Sequence, residues 1–242
     1  MRWLVATIAE TVPETIRTVT LRLDVPDWPS HRAGQHVDVR LTAEDGEDGY
    51  SAQRSYSIAS PPGSERLELT VERIDDGEVS PYLTTVADLG DQFEVRGPIG
   101  GWFVWDGSDT APVLLVGGGS GLVPLRAILC HHAASASTAA MHLVYSARTL
   151  GDVIYRRELG ALAGPRRAVT LTLTQESAPD WAGHRGRVDA GLLAEVAWPP
   201  SVQPHCYVCG PTAFVEAVAD ALVGLGHEPG RIRTERFGPT GD

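Results

Sequence analysis

The sequence predicts two units, a small antiparallel β-barrel followed by a parallel α/β domain, on three observations. Residues 3–96 read as short runs with apolar side chains at every second position. After Gly97-Pro98-Ile99-Gly100-Gly101 the period changes, and apolar strand-like runs alternate with helix-like ones. Charge divides near the same place: residues 1–110 hold 9 Arg and 20 Asp plus Glu, net −11, whereas 111–242 hold 11 of each. With 242 residues, 43% of them apolar, there is chain enough for each unit to bury a core of its own.

In the first unit, Thr18-Val19-Thr20-Leu21-Arg22-Leu23, Val37-Asp38-Val39-Arg40-Leu41 and Leu67-Glu68-Leu69-Thr70-Val71 alternate as half-buried strands do. Turn-rich stretches at 26–34, 43–49 and 60–64 separate the runs, and 80–86 reads as one short helix. A six-stranded antiparallel barrel is the natural closure. In the second unit, Pro112-Val113-Leu114-Leu115-Val116 is a continuous apolar run, as expected of a strand covered on both faces. Helices at 122–132, 154–162, 190–196 and 212–224 then interleave with strands at 141–146, 169–174 and 205–208. Strand and helix in turn imply a parallel sheet with ligands at the carboxyl ends of its strands. The boundary is expected within Trp105-Asp106-Gly107-Ser108-Asp109-Thr110-Ala111, giving domains at 1–107 and 108–242.

Composition excludes several functions. A net charge of −11 is a poor match to a phosphate backbone, so nucleic acid is not an expected partner. All 20 basic residues are arginine, which leaves no lysine for a Walker-type phosphate loop, a Schiff base or a catalytic amine. Cys130, Cys206 and Cys209 are too few for a disulfide scaffold and point to a reducing compartment. Only four apolar residues separate Arg2 from Thr7, too few for a signal-peptide core, and no later run approaches a membrane span. The expectation is a cytoplasmic, soluble protein without a membrane segment.

Gly117-Gly118-Gly119-Ser120-Gly121 sits between the first apolar strand and a helix, where backbone amides can hold an anion. It matches neither G-x-G-x-x-G nor G-x-S-x-G, because Leu122 and Pro124 break both patterns. At the end of the next strand, an NAD site places Asp or Glu against the ribose 2'-hydroxyl, but here the chain reads Tyr145-Ser146-Ala147-Arg148. The Ser146 hydroxyl and the Arg148 guanidinium suit a 2'-phosphate, and an ordinary solvated arginine is the alternative. His205-Cys206 with Cys209 resembles a metal or dithiol motif, yet residues three apart on a strand point to opposite faces, so no metal site is expected. Cys209-Gly210-Pro211 closes that strand, where a small polarizable side chain either borders a ligand or fills the core. In the barrel, Arg54 and Tyr56 of Arg54-Ser55-Tyr56-Ser57 share one face, suiting a ligand with a phosphate and an aromatic ring.

Five motifs in order, Arg54-x-Tyr56-Ser57, Gly77-x-x-Ser80, Gly118-Gly119-Ser120-Gly121 with Pro124, Cys209-Gly210-Pro211 and Glu235-Arg236-Phe237, resemble those of the ferredoxin-NADP reductase superfamily over the whole chain. The resemblance implies an FAD-binding barrel and an NAD(P)-binding domain, with hydride passing from NADPH or NADH to the flavin. It implies that Arg54 holds the flavin pyrophosphate, Tyr56 packs along the ring and Ser57 bonds near N5. Ser55, Val71 and Arg73 belong to the same flavin-binding strands, and Gly77, Val79 and Ser80 cradle the phosphates. Gly119, Ser120, Gly121, Pro124, Ser146, Arg148, Gly210 and Pro211 fall on the nicotinamide nucleotide. Ser57, Cys209 and Glu235 stand nearest the reacting atoms, and Phe237, rather than a terminal aromatic, closes the flavin. Three scattered cysteines cannot hold the four-cysteine iron-sulfur module that many relatives carry. Electrons are therefore expected to leave to a separate acceptor protein, one that is not strongly acidic. A diaphorase acting on small acceptors and a non-catalytic relay subunit are the alternatives.

Overall fold

Alternation becomes architecture directly in the first unit. The structure, a computed structural model, describes residues 1–43, 50–175 and 180–238, and it divides into Met1–Trp105 and Asp106–Asp242. Strands β1 (Leu4–Pro13), β2 (Thr18–Asp24), β3 (His36–Ala43), β4 (Tyr50–Ser57), β5 (Leu67–Glu72) and β6 (Gln92–Ile99) form an antiparallel sheet in the order β4-β3-β6-β1-β2-β5. A single bridge from Ile58 to Leu69 joins the two ends of that order and closes the barrel. Every second side chain faces inward, so Ala6 and Ile8, Leu21 and Leu23, and Val37 and Val39 meet in one buried cluster. Each fully buried aliphatic side chain of this kind contributes about 1.5–3 kcal/mol.

The outer face is held by charge. The guanidinium groups of Arg40 and Arg96 both stack on Trp3, at 4.2 and 4.7 Å from its ring centre. Arg40 forks onto Glu94 at 2.6 and 2.8 Å, and Arg96 reaches Asp38 at 2.7 Å. The short helix α1 (Ser80–Thr85) packs Leu83 into the barrel core.

The second unit is a six-stranded parallel sheet. Strands β7 (Val113–Gly118), β8 (Met141–Ala147), β9 (Arg167–Leu173), β10 (His184–Arg185), β11 (His205–Pro211) and β12 (Ile232–Phe237) lie in the order β10-β9-β8-β7-β11-β12. All six residues of β7 are buried, as its unbroken apolar run requires. Helices α2 (Leu122–Ala134), α3 (Arg156–Leu162), α4 (Ala190–Val196) and α5 (Thr212–Gly224) connect the strands, and α4 is capped by the Asp189 carboxylate, which accepts the Leu192 N–H at 2.8 Å. The chain leaves β7 toward β8 on one side and returns on the other as β11. The crevice beyond the carboxyl ends of β7 and β11 is therefore the topological switch point, where ligands of such sheets bind.

Helix α3 begins at Arg156, two residues later than its apolar pattern predicts. Buried Tyr155 takes a left-handed backbone, φ 54°, which a helix cannot include. The Tyr155 ring lies under the guanidinium of Arg126 at 4.7 Å, and Arg126 also reaches Glu158 at 2.8 Å, so this corner joins α2 to α3. Among the described residues no helix is long and apolar enough to cross a membrane.

Candidate functional site

In the barrel unit, two segments expected to serve one ligand come together. Arg54 leaves β4 and its Nη2 meets the Glu78 carboxylate at 2.6 Å, which places the guanidinium against the 77–80 turn. That turn is drawn tight by the Gly77 N–H on the Ile74 carbonyl at 2.9 Å and by the Ile74 N–H on Ser80 Oγ at 3.0 Å. A cation beside a tight turn that opens a helix is phosphate-binding chemistry.

The remaining barrel residues divide by strand alternation. Tyr56 packs against the core with its phenol pKa raised by burial. Ser55 lies on the opposite face, where its hydroxyl donates to Asp38 at 2.7 Å, so only its main chain is left to a ligand. Val71 and Val79 are fully buried core residues and likewise offer a ligand only their backbone. Arg73 reaches Asp75 at 3.2 Å, and Asp75 also takes Arg17 at 3.0 Å, so this arginine stands in an ion-pair cluster. Ser57 differs: its residue is only 6% exposed, and its buried Oγ has no hydrogen-bond partner among the described residues. A buried hydroxyl in that state has a proton and lone pairs to offer a bound group. The barrel residues thus fit a flavin nucleotide.

In the α/β unit, β7 ends in a 3-10 turn, Gly119–Gly121, before α2 begins. Gly119 has φ 55°, a left-handed conformation open to glycine. Gly121 is needed for closeness: a β-carbon there would collide with the Cys209 carbonyl of β11. Pro124 falls in the first turn of α2, where a missing N–H costs nothing.

Register completes the row. Cys209 of β11 pairs with Gly117 of β7 on one side and Glu235 of β12 on the other. Its thiol is fully buried, with a pKa pushed well above the ordinary value, first by burial and then by the Glu235 charge. Burial also raises the Glu235 carboxyl to about 7, so near neutrality it is divided between its neutral and charged forms. Two residues on, Phe237 pairs with Pro211, and Cys209-Gly210-Pro211 leads into α5. Cys206 is buried separately, its thiol pushed up to about 12, and among the described residues no cluster of His, Cys, Asp or Glu is arranged for a metal ion.

The β8 end adds polar groups. Ser146 pairs with Gly118, and Arg148 follows the strand. Sequence reasoning gave no role to Glu78 or Asp152 and took Gly117 only as part of the glycine-rich stretch that closes β7. Glu78 was signalled by its place inside the Gly77–Ser80 turn, whereas the pairing of Gly117 with Cys209 and the folding of Asp152 back on Arg148 come only from register and a turn.

Residues 5–104 match the family described as Oxidoreductase FAD-binding domain, and residues 115–220 match that described as Oxidoreductase NAD-binding domain. Together with the barrel and the switch-point crevice, these matches define an FAD-binding domain followed by an NAD-binding domain of the oxidoreductase type. The chain is 35% identical to ferredoxin–NADP reductase B of Sorangium cellulosum, over 85% of this chain and 84% of that protein. It belongs to the ferredoxin-NADP reductase superfamily. It is also 31% identical to the glycine betaine monooxygenase reductase subunit of Chromohalobacter salexigens, over 93% of this chain, and spans 61% of that subunit's length. Among solved structures, the FAD/NAD-binding domain of nitric oxide dioxygenase from Vibrio cholerae O1 biovar El Tor aligns with a TM-score of 0.85 at 26% identity, covering 98% of this chain and 99% of that one.

Proposed function

We propose that this chain is an NAD(P)H-dependent flavin reductase that takes a hydride from the nicotinamide nucleotide and passes electrons to a separate acceptor protein. The observation that carries this reading is the row Gly117, Cys209 and Glu235 across three parallel strands at the switch point. When bound, FAD supplies the redox chemistry, accepting a hydride and releasing electrons singly. The protein's part is positioning, since hydride transfer needs its donor and acceptor atoms about 3–3.5 Å apart and aligned. Arg54 with the 77–80 turn holds phosphate, Tyr56 offers an aromatic wall, and the Ser57 hydroxyl donates to the ring. Gly119, Ser120 and Gly121 let the second nucleotide approach the backbone, while Cys209 keeps that wall small and uncharged. Glu235, with its carboxyl raised to about 7 by burial, can gain or lose a proton near neutrality and donates a hydrogen bond in its neutral form, and Phe237 shields the flavin. Anaerobic addition of NADPH or NADH to the yellow protein should bleach its flavin absorption, and a flavin that neither donor bleaches ends this reading.

The flavin assignment gives a direct expectation. Arg54→Ala removes a charge-assisted phosphate contact worth about 1.5–3 kcal/mol, so FAD retention should weaken roughly 10- to 100-fold. The flavin-to-protein ratio after gel filtration measures this. Undiminished occupancy would remove Arg54 from the pyrophosphate.

NADPH is the favoured donor in this reading, supported by Ser146 and Arg148 at the end of β8. A separate acceptor is supported by relatives whose names describe a reductase subunit of a monooxygenase and a reductase of ferredoxin. The acceptor's charge follows from residues 1–110, which carry the whole net −11. Transient electron-transfer encounters are steered by charge over a range of about 8 Å at physiological salt. A neutral or basic acceptor is therefore favoured over a strongly acidic one. Reduction of a basic acceptor should be fastest at low salt and slow as salt rises. The same profile for a strongly acidic ferredoxin would mean that a local basic patch governs docking.

A further inference from the structure

The carboxyl end of β8 carries a pair of opposite charges rather than a lone arginine. Arg148 Nη2 lies 3.5 Å from Asp152 Oδ1, with the two side chains 55% and 29% exposed. Asp152 is the more firmly held: its Oδ2 accepts the Thr149 N–H at 3.1 Å and the Thr149 hydroxyl at 2.7 Å, a capping box around the 3-10 turn Leu150–Asp152. The base of the pair is fixed as well. The Gln175 N–H bonds the Arg148 carbonyl at 2.8 Å and the Thr174 N–H bonds that of Ala147 at 3.0 Å, joining the ends of β8 and β9.

We propose that Asp152 is a specificity-determining residue of the nucleotide site, a fixed carboxylate that opposes a 2'-phosphate and narrows the preference for NADPH over NADH. The inference rests on the reading of the β8 end as the site of the adenosine ribose. A phosphate monoester carries close to two negative charges at neutral pH. A guanidinium that reaches for it must leave Asp152 or share itself between two anions, and the carboxylate remains well inside the screening length. A ribose 2'-hydroxyl is neutral and can donate to a carboxylate, as Asp or Glu accepts it in NAD sites. The same pair thus favours the phosphate through Arg148 and the hydroxyl through Asp152. Which donor wins is set by the balance between them.

Calorimetric titration of the FAD-loaded protein with 2',5'-ADP and with 5'-AMP tests this without turnover. Asp152→Asn keeps a side-chain oxygen for the Thr149 bonds and removes the charge. It should bind 2',5'-ADP about three- to fivefold more tightly than the parent and 5'-AMP more weakly, since an amide oxygen accepts the 2'-hydroxyl less well than a carboxylate does, with the gain for 2',5'-ADP shrinking as salt rises. Asp152→Ser, which also removes the carboxylate, should change the affinity for 2',5'-ADP in the same direction. Arg148→Gln should abolish the parent's advantage for 2',5'-ADP over 5'-AMP. If both nucleotides bind but the neutral variants keep the parent's ratio of affinities, the role of Asp152 is overturned. If the parent binds neither, the site itself is misplaced and the inference falls with it.

Discussion

Gly121→Ala should destabilise the second unit by about 3 kcal/mol or more, at or beyond the upper end of ordinary overpacking. The new methyl group would collide with the Cys209 carbonyl and crowd the Gly210 α-carbon, both backbone atoms of β11 that cannot swing aside as a flexible side chain can. Either β11 must separate from the turn or the turn must lift from the sheet, and both disturb the Gly117, Cys209, Glu235 row. The melting temperature of the unit should fall by about 6–12 °C, given 2–4 °C per kcal/mol at this size. Gly160→Ala is the internal control. In α3 its added methyl group meets nothing within 4 Å, so helix propensity alone should make the variant neutral or more stable by up to about 1 kcal/mol. Equal melting temperatures for the parent and Gly121→Ala would mean that the turn and β11 are not in contact.

The second large effect concerns pH. Burial raises the Glu235 carboxyl from an ordinary 4.5 to about 7. Between those values the folded chain binds more protons than the unfolded one, so stability falls as pH rises. The contribution is fully present below about pH 4.5 and is lost by about pH 7, amounting to at most about 3 kcal/mol. Glu235→Gln is neutral throughout. It should flatten this slope, matching the parent at low pH and exceeding it at pH 8. Denaturant unfolding of the flavin-loaded protein without nucleotide at pH 5, 6.5 and 8 measures both limbs, and parallel curves for the two proteins would place Glu235 in a solvated setting.

What the sequence disclosed and what it withheld follow from the range of the interactions involved. The runs around Leu21, Val39 and Leu69 are local period-2 signals, and α4 and α5 lie where their apolar spacing puts them. The start of α3 was misplaced because the left-handed backbone of Tyr155 depends on its burial, beneath Arg126 from another helix. Strand β12 carries Arg233, Glu235 and Arg236 among its six residues and has no clean alternation, so only its partner β11 defines it as a strand. Arg54, Tyr56 and Cys209 were visible as residue types in suggestive places. That Arg54 meets Glu78, that Cys209 lies between Gly117 and Glu235, and that Asp152 folds back on Arg148 are consequences of pairing and turns. The commitment of the Ser55 hydroxyl to Asp38 on a neighbouring strand belongs with them.

The borders of the parallel sheet have a consequence for the protein in concentrated solution. Any unsheathed strand is a template onto which another molecule can hydrogen-bond, and growth of such pairs leads to precipitation. One border here is β10, only two residues long, which offers too short a template to hold a partner. The other is β12, where like charges at Arg233 and Arg236 would confront the same residues of an incoming copy. The barrel, joined to itself through Ile58 and Leu69, has little open border to offer. The chain should therefore resist strand-to-strand aggregation when crowded, despite two sheets of six strands each.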